Sequence, residues 1–127
     1  EARALAALGY ELVATDGTYR AIKANGIPCE RVNKVGEGRP HIVDLIKNRE
    51  IALILNTPYG KKERKDDSSI RAAAVHAHVP CITTLAGIQA IVSALTALHK
   101  NPLVVRSLQS YHERVRAETA SLRTVRV

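Results

Sequence analysis

Leu12-Val13-Ala14-Thr15-Asp16-Gly17-Thr18-Tyr19-Arg20-Ala21-Ile22 is the stretch whose reading decides the fold. The apolar run 12–14 predicts a strand, Thr15-Asp16-Gly17 a polar turn, and helical spacing opens at Thr18 or Tyr19. Such a strand-turn-helix junction presents unpaired backbone N–H groups and the positive end of a helix dipole. Gly17 lets a ligand approach the backbone closely, and a threonine hydroxyl can donate to an anion, so Thr15 and Thr18 are candidate phosphate ligands. A plain N-cap satisfies the same pattern, and the turn alone does not choose between them.

Outward from this junction, residues 1–8 predict a helix closed at Gly9, and Tyr10 opens the strand that runs into Ala14. The helix after Gly17 ends at Asn25-Gly26, and residues 31–33 form a second strand. Lys34-Val35-Gly36-Glu37-Gly38-Arg39-Pro40 is a glycine-bearing loop, with Pro40 expected as the first residue of a helix over 41–47. Ile42, Leu45 and Ile46 share one face of that helix. Ile51-Ala52-Leu53-Ile54-Leu55 lacks alternation, which predicts a strand covered on both faces. A second polar turn, 56–60, leads into a highly charged loop over 61–67.

Asp67 or Ser68 can cap a helix reaching His78, with Ile70, Ala73, Ala74 and Ala77 inward and Pro80 as its stop. Residues 81–83 are a fourth strand, and Thr84 caps an apolar helix over 85–99. After the break at Asn101-Pro102, Val104, Leu108, Tyr111 and Val115 predict a last amphipathic helix to about Arg116. This alternation predicts an α/β domain over 1–117, a three-layer parallel sheet flanked by helices, followed by a frayed tail over 118–127. Ligands bind such sheets at the carboxyl ends of the strands. Three polar turns, 15–18, 33–40 and 56–60, fall on that edge and bring Lys34 and Arg39 as cations.

Composition fits one globular domain: 127 residues, 46% hydrophobic and 24% charged. With no Phe, Trp or Met, the core is built of Ile, Leu, Val and Ala, which suits helices laid on a parallel sheet. A net charge of +7 predicts an anionic partner without naming it. Arg106, Arg114, Arg116, Arg123 and Arg126 also read as a solvated helix face. Nucleic-acid readers lean on exposed aromatics, and four scattered Tyr offer little to stack on. Cys29 and Cys81 lack metal or redox spacing and read as small buried apolar residues in a reducing compartment. No run reaches the roughly 18 apolar residues of a membrane span, so the expectation is a soluble, cytoplasmic protein. His76 and His78 point about 200° apart on a helix, against a shared metal, and His41 stands beside the anion rim.

Ala14-Thr15-Asp16-Gly17-Thr18, the 32–42 stretch with Asn33-Lys34-Val35-Gly36-Glu37-Gly38-Arg39-Pro40-His41, Leu55-Asn56-Thr57-Pro58 and Asp67-Ser68-Ser69-Ile70-Arg71 strongly resemble one family. It is the methylglyoxal-synthase-like domain at the carboxyl end of the carbamoyl phosphate synthetase large subunit. The resemblance implies an allosteric regulatory domain without catalysis or cofactor of its own, in a parent that uses ATP with Mg or Mn and K. It implies uridine monophosphate as inhibitor and inosine monophosphate as activator, tuning carbamoyl phosphate synthesis for pyrimidine and arginine biosynthesis. Thr15, Thr18 and Lys34 would hold the phosphate, Asn56 and Thr57 would approach phosphate or ribose, and Asp66 would accept from ribose hydroxyls. Thr84 would carry the ornithine signal. The implied partners are the nucleotide, the rest of the large subunit and the glutaminase small subunit.

Pro58 departs from relatives that carry a second hydroxyl there. In the family, a central first strand bearing a serine and a lysine of the phosphate pocket lies before the position of Glu1, so a gap or an exposed sheet edge, and pairing with another chain, are expected. Methylglyoxal synthase, a lyase of the same fold acting on dihydroxyacetone phosphate, is the enzymatic alternative. At its catalytic aspartate this chain has Arg39, within Glu37-Gly38-Arg39, and an arginine cannot act as a base. Glu37 reads as a turn cap or as a substitute base.

Overall fold

In the computed structural model, residues 1–57 and 63–122 are described, with side chains for all of them except 63–65 and 118–122. The elements alternate as the sequence predicts: α1 (Ala2–Ala7), β1 (Val13–Thr15), α2 (Asp16–Ala24), β2 (Glu30–Val32), α3 (Ile42–Lys47), β3 (Ile54–Leu55), α4 (Glu63–Ala77), β4 (Cys81–Ile82), α5 (Leu85–Lys100) and α6 (Leu108–Leu122). Both strand pairings are parallel, β1 with β2 and β3 with β4, each joined through a helix. The chain is thus two βαβ units linked by α3.

The one continuous sheet expected from the sequence is instead two two-stranded sheets, so β1 and β3 each have one edge without a ladder among the described residues. The sheet is thereby divided between β2 and β3. The division also shortens the apolar run 51–55, of which only Ile54–Leu55 is strand and Ala52 is exposed. A run covered on both faces needs neighbours on both edges, and β3 has β4 alone.

The main core lies between α3, α4 and β3. Val43, Ile46, Ile54, Ile70, Ala73 and Ala74 are buried together, with Ile46 fully enclosed. Small alanines on α4 let α3 approach closely, and the branched residues of α3 fill the space between. Cys81 packs at the fringe of this cluster, and Cys29 lies elsewhere. Both thiols are partly rather than fully buried, and burial pushes each of them up.

Several boundaries differ from the sequence expectation. α3 begins at Ile42 with His41 as its N-cap, so Pro40 stands outside the helix. The imidazole Nδ1 of His41 accepts from the Asp44 backbone N–H at 3.3 Å while the Asp44 carboxylate accepts from the His41 N–H at 3.0 Å, a reciprocal cap. α4 begins at Glu63, within the stretch expected as a charged loop, so Asp67 and Ser68 are interior residues and neither is the cap. Residues 58–62 of the expected turn and loop lie outside the described residues. α6 starts at Leu108 and continues to Leu122, later at both ends than the pattern predicts. Residues 102–107, expected as its first turns, have no regular structure. Of the expected frayed tail, 123–127 lie outside the described residues.

Four helices end in the same pair of backbone bonds, in which the residue after the C-cap takes a left-handed conformation. At α1 and α2 that residue is Gly9 or Gly26, with φ of 88° and 69°. At α3 it is Arg49 (φ 61°), and at α4 His78 (φ 57°). The bonds are Arg49 N–H to Ile46 C=O with Glu50 N–H to Leu45 C=O, and His78 N–H to Val75 C=O with Val79 N–H to Ala74 C=O. A side chain is disfavoured in this conformation.

His78→Gly should therefore raise stability by about 0.5–1 kcal/mol, read as a few degrees in Tm by thermal unfolding. Asp44 provides a pH prediction. The hydrogen bond from the His41 N–H holds its carboxyl below the ordinary carboxylate range against the opposing effect of burial, and Arg39 adds to the lowering. A carboxyl depressed in the folded state stabilises above its unfolded value of about 3.9, and that stabilisation is lost as pH falls through the lower folded value. Asp44→Asn should lower Tm at pH 7, and melts taken at falling pH should show the gap to the parent chain closing below about pH 4.

Candidate functional site

The carboxyl ends of β1, β2 and β3 open on a common cleft of about 260 Å³. Thr15, Thr18, Lys34, Asn56, Thr57 and Asp66, six of the residues singled out from the sequence, all line it. Thr84 does not. It stands at the N-cap of α5, where its hydroxyl accepts from the Gly87 N–H at 3.1 Å. Arg39, expected as a second rim cation, faces away toward α3, with its guanidinium 3.6 Å from the Asp44 carboxylate.

Thr15 occupies the N-cap position of α2 in extended conformation, yet its side chain makes no capping bond. The plain-cap reading of the turn is thus not realised by this hydroxyl, and the first-turn amides of α2 keep their donors. The space where a side chain would stand at Gly17 is open. Asp16 would oppose an anion here, but its carboxylate is turned to Arg20 at 2.9 Å and Arg31 at 3.7 Å.

Lys34 leaves the end of β2 on a tight turn. The Glu37 N–H donates to the Lys34 C=O at 3.1 Å, and the Lys34 N–H donates to the Glu37 carboxylate at 3.2 Å. Glu37 thus acts as a turn cap. Gly38 then takes φ 130°, a conformation other residues avoid, while Asn33 Nδ2 donates to the Pro40 C=O at 3.2 Å and closes the loop. No carboxylate of the described residues forms an ion pair with the Lys34 ammonium.

On the facing wall the sequence reading missed Asp67. The residue is 7% exposed, and its carboxylate accepts from Asn56 Nδ2 at 2.7 Å and pairs with Arg71 one turn along α4. The Asn56 amide is thereby fixed from behind, and Arg71 balances the buried charge. The guanidinium in turn is held more firmly protonated by its bond to Asp67. The i, i+4 spacing of Asp67 and Arg71 was the available signal, hidden because both were read as a cap and its surroundings.

The lining of the cleft is therefore mixed: threonine hydroxyls and the Lys34 side chain stand in it together with the Asn56 amide and the Asp66 carboxylate. A ligand that carries both an anionic group and hydroxyl donors matches this set. Among the described residues no group of three or more His, Cys, Asp or Glu could hold a metal, and no helix is long and apolar enough to cross a membrane.

Comparison with known proteins shows the family. A family model described as MGS-like domain matches residues 1–83. The carbamoyl phosphate synthase large chain of Rhodopirellula baltica is 50% identical over 107 residues, covering 84% of this chain and 10% of that protein. Its counterpart in Pseudomonas aeruginosa is 50% identical over 113 residues, covering 89% of this chain and 10% of that protein. The C-terminal section of the Methanopyrus kandleri large chain is 47% identical over 113 residues, 88% of this chain and 21% of that protein. The chain spans about a tenth of the length of the full-length curated relatives it matches. By the extent of the family match and these identities, it belongs to the MGS-like domain family.

Proposed function

We propose that this chain is the allosteric regulatory domain of a carbamoyl phosphate synthetase large subunit, binding a nucleotide monophosphate in the cleft at the strand ends. The observation that carries the reading is the convergence in one cleft of Thr15, Thr18 and Lys34 from two strand ends with Asn56 and Asp66 from the third strand end and α4. Thr15, Thr18, Lys34 and the first amides of α2 take the phosphate. Asn56, Thr57 and Asp66 take the ribose. Each charge-assisted hydrogen bond contributes about 1.5–3 kcal/mol, so three or four of them with the helix dipole are enough for micromolar affinity.

The parent is a soluble, cytoplasmic, ATP-dependent ligase partnered by a glutaminase subunit, and its carbamoyl phosphate feeds pyrimidine and arginine synthesis. Regulation requires the nucleotide to favour one state of that parent by an affinity difference of about 1–3 kcal/mol. Thr84, at the head of α5 and away from the cleft, carries a separate ornithine signal in this scheme.

Calorimetric titration with uridine and inosine monophosphates tests the proposal. Micromolar binding of at least one of them is expected, weakened about tenfold or more by Lys34→Ala, the loss of one charge-assisted contact. Binding of neither nucleotide, or unchanged affinity in the variant, would refute it.

A further inference from the structure

We propose that a groove between α3 and α4 is a second binding site, for a small anion carried on an apolar body such as an aromatic phosphate or carboxylate. The groove measures about 580 Å³, within the range of small-molecule sites and larger than the nucleotide cleft. Its floor is apolar, with Val43 and Ala73 buried and Val35 and Ala77 half-buried. Its rim carries Arg39, Lys47 and Arg49 against one acid, Asp44, which already accepts from the His41 N–H and lies against Arg39. Neither Lys47 nor Arg49 is ion-paired with a carboxylate of the described residues.

Arg49 adds a further observation. Glycine suits its left-handed position after α3 better than any residue with a side chain, yet a guanidinium is held there at the groove wall. An apolar floor beneath unpaired cations selects a ligand with both characters. Inorganic phosphate meets only the rim, and an uncharged ring meets only the floor. The two sites share Val35 but otherwise draw on different residues, with Asp66, Asp67 and Ile70 of α4 lining the cleft and Ala72, Ala73 and His76 lining the groove. Binding at one is therefore separable from binding at the other by substitution.

The test is two-dimensional amide NMR on the Lys34→Ala chain, which weakens the cleft, titrated separately with phenyl phosphate, inorganic phosphate and benzyl alcohol. Phenyl phosphate is expected to shift the amides of Lys47, Arg49, Ala72 and His76, and to bind at least tenfold more tightly than either of the other two probes. Combining Lys47→Ala with Arg49→Gly should weaken it at least tenfold while leaving Tm equal or higher, because glycine relieves the left-handed position. The proposal is overturned if phenyl phosphate shifts no groove amide, if its shifts stay around Thr15 and Asn56, if benzyl alcohol binds as well, or if the double variant binds unchanged.

Discussion

Parallel pairing is the constraint on which the site depends. When β1 lies beside β2 in register, with Val13 opposite Glu30 and Thr15 opposite Val32, their carboxyl ends reach the same edge and both following turns must open there. In the second sheet the parallel pairing of Ile54 with Cys81 and Leu55 with Ile82 sets the direction of β3, and Asn56 follows at its carboxyl end. Antiparallel pairing would send every second turn to the opposite edge, and Thr15 and Lys34 could not share a cleft. Thr15 and Lys34 are thus brought together by a ladder of three residues, and Asn56 joins them from the second sheet.

Ladders that short are weak on their own. The β3–β4 pair is held by α3 on α4, where Ile46 is enclosed and Ala73 and Ala74 give the close approach, and the β1–β2 pair packs with α2. The same helices also finish the site. α4 carries Asp67, whose buried carboxylate reaches across to Asn56, so the packing of the core and the orientation of a cleft residue are a single arrangement. Elsewhere cover is thin: α5, the most apolar helix, has only Val92 buried, and Leu85 and Leu98 are exposed.

Much of this was legible in the residues. The switch from apolar run to helical spacing at 12–22 announced the first βαβ unit, and Gly9 and Gly26 marked two helix ends, because glycine is the residue such ends favour. The other two ends were also placed, near 47 and 78, the second by Pro80, but the left-handed residues there are Arg49 and His78, whose side chains give no such warning. The start of α4 was obscured for a similar reason: Lys61 to Asp67 reads as solvated charge, yet from Glu63 it is helix, and Asp67 is drawn inward by Asn56 and Arg71. The six cleft residues were read from the turns and the family resemblance together, and the structure gathers them. Arg39 was placed on the same rim by sequence, but its side chain is turned to Asp44, while Thr84 caps α5 as its place before the apolar helix predicted. Whether one sheet or two would form was not written in any single strand, since edge pairing is a property of neighbours.

The central claim is that an anionic group is held where the first turn of α2 meets Lys34. A crystal structure of the chain with uridine or inosine monophosphate tests it most directly. The account predicts phosphate oxygens within hydrogen-bonding distance of Thr15, Thr18 and the Lys34 ammonium, with the ribose toward Asn56 and Asp66. A nucleotide bound with its phosphate at the Asn56 wall and its base against α2, or lodged only in the groove between α3 and α4, would contradict it.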